Sequence, residues 1–350
     1  MDSTKPVITK QTKNKISVDY EGKLSVKERL RKKLTTSNTW IKGAVSVLKF
    51  ILMLGISYVI LFPFFSKIAG SFMSKSDVID AMVSLIPKAP TLDIYKYLII
   101  ENQYFSAFFN TLFLSLVCAI LQTFVACLVG YGLSKFKFKG NSVVMVLVVI
   151  MMIIPHSTLN VSMLRHFTAF DLMDLTSLPA KGLLTLIFGK IDLTDTFWPF
   201  IILSATGLAF KNGLYIYMMR QFFKGVPDEL EESAYVDGSG TFRTFLQIIL
   251  PLSVPMMITI FLFSFSWQWT DQFYTGLFFI GPQDYRPLMM PDILQVPEHF
   301  VTTYDYAGKS LYENVIKNTA GIMIIFPLVI MYLFGQKYLV QGIERSGLVG

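Results

Sequence analysis

Five acids, Asp228, Glu229, Glu231, Glu232 and Asp237, fall within ten residues of a chain that is otherwise 53% hydrophobic and only 16% charged. Carboxylates at this density suit ion pairing with a partner's basic groups. They stand in the block PDELEESAYVDGSGTFRTFLQIILP, Pro227 to Pro251. Pro227 fits the first position of a helix, Asp228 and Glu229 fall at the positive end of its dipole, and Leu230 with Ala234 forms a narrow apolar stripe. Gly238 and Gly240 end that helix, and Thr241 can cap a second one. There Phe242, Phe245, Leu246 and Ile249 recur at helical spacing, and Pro251 opens the next apolar run. The first helix is left projecting. Its small residues Ser233 and Ala234 permit close approach to a groove; a solvated amphipathic loop is the alternative, and the residues alone favour neither.

A second constellation closes a long apolar run, FSFSWQWTDQFYTGLFF, and contains Trp267, Trp269, Asp271, Gln272 and Tyr274. Sugars present apolar C–H faces and many hydroxyls, so aromatic platforms beside planar polar groups suit them. An aromatic belt at a membrane interface accounts for the Trp and Tyr residues, and less well for Asp271 and Gln272. Asn110, in FFNT, is a further candidate on a sugar path, with an interhelical hydrogen bond as its alternative.

Other chemistries lack their residues. A phosphate-binding loop needs G-x-x-x-x-G-K-[ST], and in TYDYAGKS the first glycine is replaced by Thr303, so Gly308-Lys309-Ser310 is a chance match. His156, His166 and His299 are scattered, which supports neither a metal site nor a hydrolytic triad. Cys118 and Cys127 are separated by roughly 13 Å along one helix, too far for a disulfide. No cofactor or metal is expected in this chain. Net charge +7 could suggest nucleic acid, but the basic residues gather at the N-terminus and in short connections, as membrane topology requires.

The elements that must carry these groups are membrane helices, because the apolar residues come in long uncharged blocks and the mean hydropathy is +0.52. An all-α protein with six transmembrane helices is expected, with spans at about 44–65, 107–131, 142–158, 197–219, 252–269 and 316–334. The apolar run of the third stops at Pro155, and its helix can continue toward Leu164. The polar first ~40 residues do not read as a signal peptide. Lys5 to Lys42, Lys135, Lys137, Lys139, Arg220, Lys224, Arg243, Lys337 and Arg345 fall on one side, which the positive-inside rule makes cytoplasmic for both termini. Residues 1–42 are then a cytoplasmic basic tail, 43–337 the membrane domain and 338–350 a cytoplasmic C-terminal tail. Within the first tail, 1–22 reads as disordered and Leu24 to Lys42 as a basic helix on the anionic lipid surface. The opposite connections are long enough to fold into small caps. Lys49 and Lys211 read as lysines that snorkel from spans to the nearer, cytoplasmic face.

Glu232-Ser233-Ala234, three residues, Gly238, nine residues, then Ile248-Ile249-Leu250-Pro251 resembles the EAA loop of ABC importer permeases, E-A-A-x3-G-x9-I-x-L-P, with Ser233 in place of the first alanine. SLIPKAPTLDIYKYLI, FFNT, GYGLSKFKFKG, MMIIPHS and RQFFKGVPDELEESAYVDGSG extend the likeness over nearly the whole membrane region. They are similar to carbohydrate-uptake permeases of the MalG type, within them the LplC/YtcP-like oligosaccharide permeases. The resemblance implies a type I importer fold whose first loop helix is a coupling helix seated in an ATPase. Glu229, Glu231, Glu232, Ser233, Ala234, Asp237, Gly238, Ile248, Leu250 and Pro251 would serve that coupling. It further implies a bacterial cytoplasmic-membrane transport subunit, not an enzyme, paired with a second homologous permease. Two copies of a cytoplasmic ATPase holding ATP and Mg, and an extracytoplasmic sugar-binding protein, complete the set. The segment around Met173 to Lys190 is longer than the family's, and the tail ends Gly347-Leu348-Val349-Gly350 without the lysine of the family's G-x-V-K-G. Two rivals are an ion-coupled transporter, for which midplane ionisable groups and paired broken helices from an internal repeat would be needed and neither is found in the sequence, and a non-transporting scaffold or sensor.

Overall fold

The structure, a computed structural model, describes the backbone of residues 7–11, 17–21, 37–170, 191–296 and 306–345, and side chains within 41–170, 191–296 and 308–340. The chain divides into two compact units, Met1–Ser66 and Lys67–Gly350. In the first, β1 (Val7–Gln11) pairs antiparallel with β2 (Ser17–Glu21), Val7 opposite Glu21. This corrects the expectation of disorder there: Val7, Ile8, Thr9 and Val18 are β-branched and suit extended pairing. Most of the expected basic helix from Leu24 lies outside the described residues, and from Ser37 onward the chain already belongs to α1 (Ser37–Gly70). Between Ile51 and Phe65 only Ser57 and the Tyr58 hydroxyl are polar, so this helix is apolar on all sides, as a span in lipid is.

In the second unit α2 (Lys75–Ile79) and α3 (Asp93–Ile100) precede α4 (Tyr104–Lys135), the central rod. α4 buries Ala107, Thr111, Ser115, Cys118, Ala119, Gln122, Ala126 and Gly130, small and polar residues that let neighbouring helices approach without lipid between them. At Gly130 a Cβ would lie 2.6 Å from the Met219 Cβ, which shows how closely the next helices come. α5 (Asn141–Ile153), α6 (Asn160–Thr168), α7 (Trp198–Thr206) and α8 (Asn212–Lys224) follow. Then come the short acidic α9 (Glu229–Val236), the long α10 (Thr241–Trp269), α11 (Phe273–Phe278) and α12 (Tyr306–Arg345). α7, α8 and α10 lie against α4, α5 against α8, and α12 against α10.

Among the described residues four helices are long and apolar enough to cross a membrane: Ile41–Gly70, Tyr104–Lys135, Thr241–Trp269 and Gly308–Val340. The expected third span does continue past Pro155, but after a turn of 97° between Asn141–Ile153 and His156–Thr168. The proline restricts Ile154 to extended backbone, φ −66° and ψ 121°. If that pair is one span the count is five. The expected fourth span is not one helix: α7 stops at Gly207, φ +78°, and α8 starts from Lys211, φ +66°. The fifth begins earlier than expected. Gly240 rather than Thr241 occupies the N-cap, without a side-chain capping bond, and the helix runs through Pro251 without a break. A π segment, Phe245–Ile249, precedes it, with the Leu250 N–H donating to the Phe245 carbonyl; such widening accommodates a residue that has no N–H to give.

The long connections fold as caps. Ile94, Tyr97 and Leu98 bury themselves with Trp269, Met290, Ile293 and Tyr312. Arg286 donates two bonds to Asp292, at 2.9 and 2.8 Å, the fork geometry that makes such pairs strong. Cys118 and Cys127 are buried free thiols. The segment 171–190, His299, Thr303 and the tail 346–350 lie outside the described residues.

Candidate functional site

Two places bring the chemistry-bearing residues together. The first is α9. Its N-terminal Asp228 makes no capping bond; instead its carboxylate takes a hydrogen bond from Lys135, at the end of α4. The same ammonium donates to the Val226 carbonyl at 2.7 Å and faces Glu231 Oε1 at 3.8 Å, an ion pair too long for a hydrogen bond. The Tyr131 hydroxyl, one turn back, donates to Glu231 Oε2 at 3.3 Å. Lys135 holds the Asp228 carboxyl below the usual carboxylate range, first through that hydrogen bond and then through its charge.

This clamp sets the face that α9 presents. Glu231, 8% exposed, and Ala234 turn toward the bundle, while Glu229, Glu232, Ser233, Tyr235 and Asp237 are exposed and Val236 is 88% exposed. The expected apolar stripe of Leu230 and Ala234 is therefore corrected: Leu230 is exposed, and Ala234, expected to permit close approach to a partner's groove, faces the bundle beside Glu231, because Tyr131 and Lys135 offer that carboxylate partners that water would otherwise supply. At the other end Gly238 N–H donates to the Tyr235 carbonyl and Ser239 N–H to Ala234. This is a Schellman closure that needs the left-handed residue found there, Gly238 with φ +81°. Beyond it Ile248 and Leu250 are half-buried and Pro251 is exposed, while Phe245 and Ile249 enter the core and Phe242 and Leu246 stay outside.

The second place is a recess where α4, α7, α10 and α11 meet. Gln122 donates to Ser204 Oγ at 3.1 Å and accepts from Ser264 Oγ at 2.8 Å. Around this chain stand Phe200, Phe210, Trp267, Gln268, Asp271 and Tyr274. The Tyr274 hydroxyl and Gln268 Nε2 have no hydrogen-bond partner among the described residues, although Tyr274 is only 3% exposed. Asp271 is occupied: its oxygens accept from the N–H groups of Phe273, Tyr274 and Thr275 and from the Thr275 hydroxyl, at 2.9 to 3.2 Å. The recess is nearly filled, about 20 Å³. Ala209 and Phe210 also border a cavity of about 260 Å³, lined by residues 151–156 at the bend after α5 and by Lys211, Gly213 and Leu214.

Lys211 caps the N-terminal end of α8 and does not reach the Lys224 end, against the expectation that it snorkels there. That helix separates it by roughly 20 Å from Lys224, and its ammonium lies 4.6 Å from the Phe210 ring centroid and 5.2 Å from that of Trp267. Of the residues expected on a sugar path, Trp267, Asp271 and Tyr274 meet in the recess. Gln272 is exposed and outside it. Trp269 is fully buried, donating to the Ile324 carbonyl at 2.9 Å and stacking on Phe265. Asn110 donates to the Leu288 carbonyl at 3.1 Å. Sequence reasoning missed Tyr131, Lys135, Gln122, Ser204 and Ser264. The signals available were Tyr131 and Lys135 one helical turn apart, and Gln122 inside an apolar run. No group of three or more metal-ligating side chains occurs among the described residues.

A helical membrane bundle with two broken helices around a polar recess, and an acidic helix turned outward between two rods, has the organisation of a transport subunit. Residues 122–345 match the family described as the binding-protein-dependent transport system inner membrane component, and the chain belongs to that family. It is a multi-pass membrane permease component rather than an enzyme. It is 26% identical over 309 residues to the arabinooligosaccharides transport system permease protein AraQ of Bacillus subtilis, covering 87% of this chain and 96% of that one. The polygalacturonan/rhamnogalacturonan transport system permease protein YtcP of the same organism is 26% identical over 297 residues, 84% of this chain and 93% of that one. In fold, the chain matches one from the crystal structure of a bacterial ABC transporter involved in the import of the acidic polysaccharide alginate. The TM-score is 0.65 at 20% identity, over 87% of this chain and 98% of that one.

Proposed function

We propose that this chain is one of two homologous permeases of an ATP-driven importer and that it passes a carbohydrate, an oligosaccharide in size, from an extracytoplasmic binding protein to the cytoplasm. Six spans complete the pathway, with α7 and α8 forming one broken span, and both termini are cytoplasmic. α9 is the coupling helix. It enters a groove of one of two cytoplasmic ATPase copies, which carry the ATP and Mg, and closure of the ATPases moves it together with α8 and α10 to alternate access. Family membership and the oligosaccharide cargoes named for the relatives support this reading.

The observation that carries it is the division of labour on α9: Glu231 and Asp228 hold the helix to the bundle, leaving Glu229, Glu232, Ser233 and Asp237 free for a partner. The sugar path follows Trp267, Tyr274 and the Gln122–Ser204–Ser264 chain; Trp269, Gln272 and Asn110 are left out of it. The test is co-expression with the neighbouring permease and ATPase genes. Glu232→Lys is expected to leave the protein inserted while ATPase co-purification or sugar uptake falls at least tenfold. Normal uptake in both Glu232→Lys and Gly238→Asp would remove α9 from the coupling role, and uptake abolished by protonophores without any ATPase would replace the mechanism by ion coupling.

A further inference from the structure

We infer that the cargo is an anionic sugar, one bearing a carboxylate or sulfate, and that Lys211 selects it. This rests on the carbohydrate-import reading above and narrows it. Lys211 lines a cavity of about 260 Å³ beside the recess, room enough for a sugar ring. It has no acidic partner within ion-pair distance among the described residues. Asp271, the acid of the adjoining recess, spends its oxygens on four donors of its own segment. The other polar side chain of the cavity, His156, stacks edge-on against Phe210 at 4.8 Å.

In a membrane protein a half-buried ammonium that lines a cavity without a counter-charge marks a pathway more often than a scaffold. Here it is also held in place. Residue 211 adopts φ +66°, uncommon for a side chain larger than glycine, and the rings of Phe210 and Trp267 support the cation. Lys211 stands at the N-terminus of the thirteen-residue α8, whose dipole adds positive potential at the same point. The Tyr274 hydroxyl, buried and unpartnered among the described residues, belongs to the adjoining recess, which Phe210 shares with this cavity. Phe210 thus offers a face for the C–H side of a ring while Lys211 takes a negative substituent at its edge. A neutral sugar would leave the ammonium without a partner.

The test uses the complete importer in proteoliposomes with internal ATP. Uptake of labelled trigalacturonate, of a sulfated trisaccharide and of maltotriose is compared for wild type, Lys211→Met and Lys211→Arg, with Lys211→Gln as a substitute if the Met variant does not assemble. Expected is uptake of one of the two anionic probes at least tenfold above maltotriose, lost at least tenfold in Lys211→Met and largely kept in Lys211→Arg. Which probe is taken up separates carboxylate from sulfate. Equal uptake of maltotriose, or anionic uptake unchanged by Lys211→Met, overturns the inference and leaves the importer standing. Uptake of none of the three counts against the carbohydrate reading itself.

Discussion

Lys135 is the residue on which the acidic helix depends. One ammonium serves the Val226 carbonyl, Asp228 and Glu231, and its side chain is 8% exposed, as closely buried as the Glu231 it faces. Removing it alone would leave Glu231 buried without a counter-charge, and breaking a buried ion pair in this way costs about 3–5 kcal/mol. Lys135→Met is therefore expected to raise hydrogen exchange of the Glu229–Val236 amides and to lower sugar-stimulated ATPase activity. Adding Glu231→Gln should recover part of the loss, because the stranded charge goes with it. Full additivity of the two substitutions would show that the residues act separately. The Asp228 contact has a defined pH window. Its carboxyl is held below the usual value, so the contact contributes in full above about pH 4 and is lost only as pH falls through the lowered value. Exchange protection of α9 is accordingly expected to be flat between pH 6 and pH 8.

At the scale of elements, two glycines fail for different reasons. Gly130 sits where α4 meets α8, and any side chain would press on the Met219 Cβ and the Arg220 backbone. Gly130→Leu is expected to cost about 1–3 kcal/mol by overpacking, read as a lower midpoint of thermal unfolding in detergent. Gly238 has open space around it, so Gly238→Ala pays only for left-handed backbone, about 1–2 kcal/mol, and Gly238→Asn less. An equal loss for Ala and Asn would assign the glycine to a partner contact instead. The apolar centres of α1, α4 and α12 were legible, but not their lengths, since α12 runs from Tyr306 to Arg345 against the expected 316–334. The acidic helix was legible from its acids and Gly238, although it starts at Glu229 and not at Pro227. The breaks were not legible. Around Ile154 and from Gly207 to Lys211 the residues stay mostly apolar, so composition alone does not distinguish a bent or broken helix from a straight one. The direction of Glu231 was equally hidden, since its partner Tyr131 lies 100 positions earlier and only the fold brings them together.

In the importer proposed above, α8, α9 and α10 are the elements through which force would travel. α8 starts at the cavity with Lys211 as its cap and ends at Lys224, two residues before Val226, whose carbonyl Lys135 holds. α10 starts at Thr241, just beyond α9, and reaches Trp267 in the recess after roughly 40 Å of helix. The acidic helix is thus joined at both ends to rods whose far ends line the same aromatic pair, Phe210 with Trp267, 5.3 Å apart. On the coupling role proposed for α9, a push crosses only the short turns 225–228 and 237–240 before it meets the helices that lead to Lys211 and Trp267. Breaking that continuity should uncouple the two sites without destroying either. A Gly-Ser insertion after Gly225, or separately after Ser239, is expected to leave the ATPases bound and hydrolysing. Their response to sugar-loaded binding protein should disappear, and uptake should fall at least tenfold. If the insertion after Gly225 alone transports normally while the one after Ser239 does not, α10 is the only working rod and α8 merely frames the cavity. If both transport normally, displacement of α9 does not open the path through these helices, and the coupling must pass through contacts elsewhere in the assembled importer.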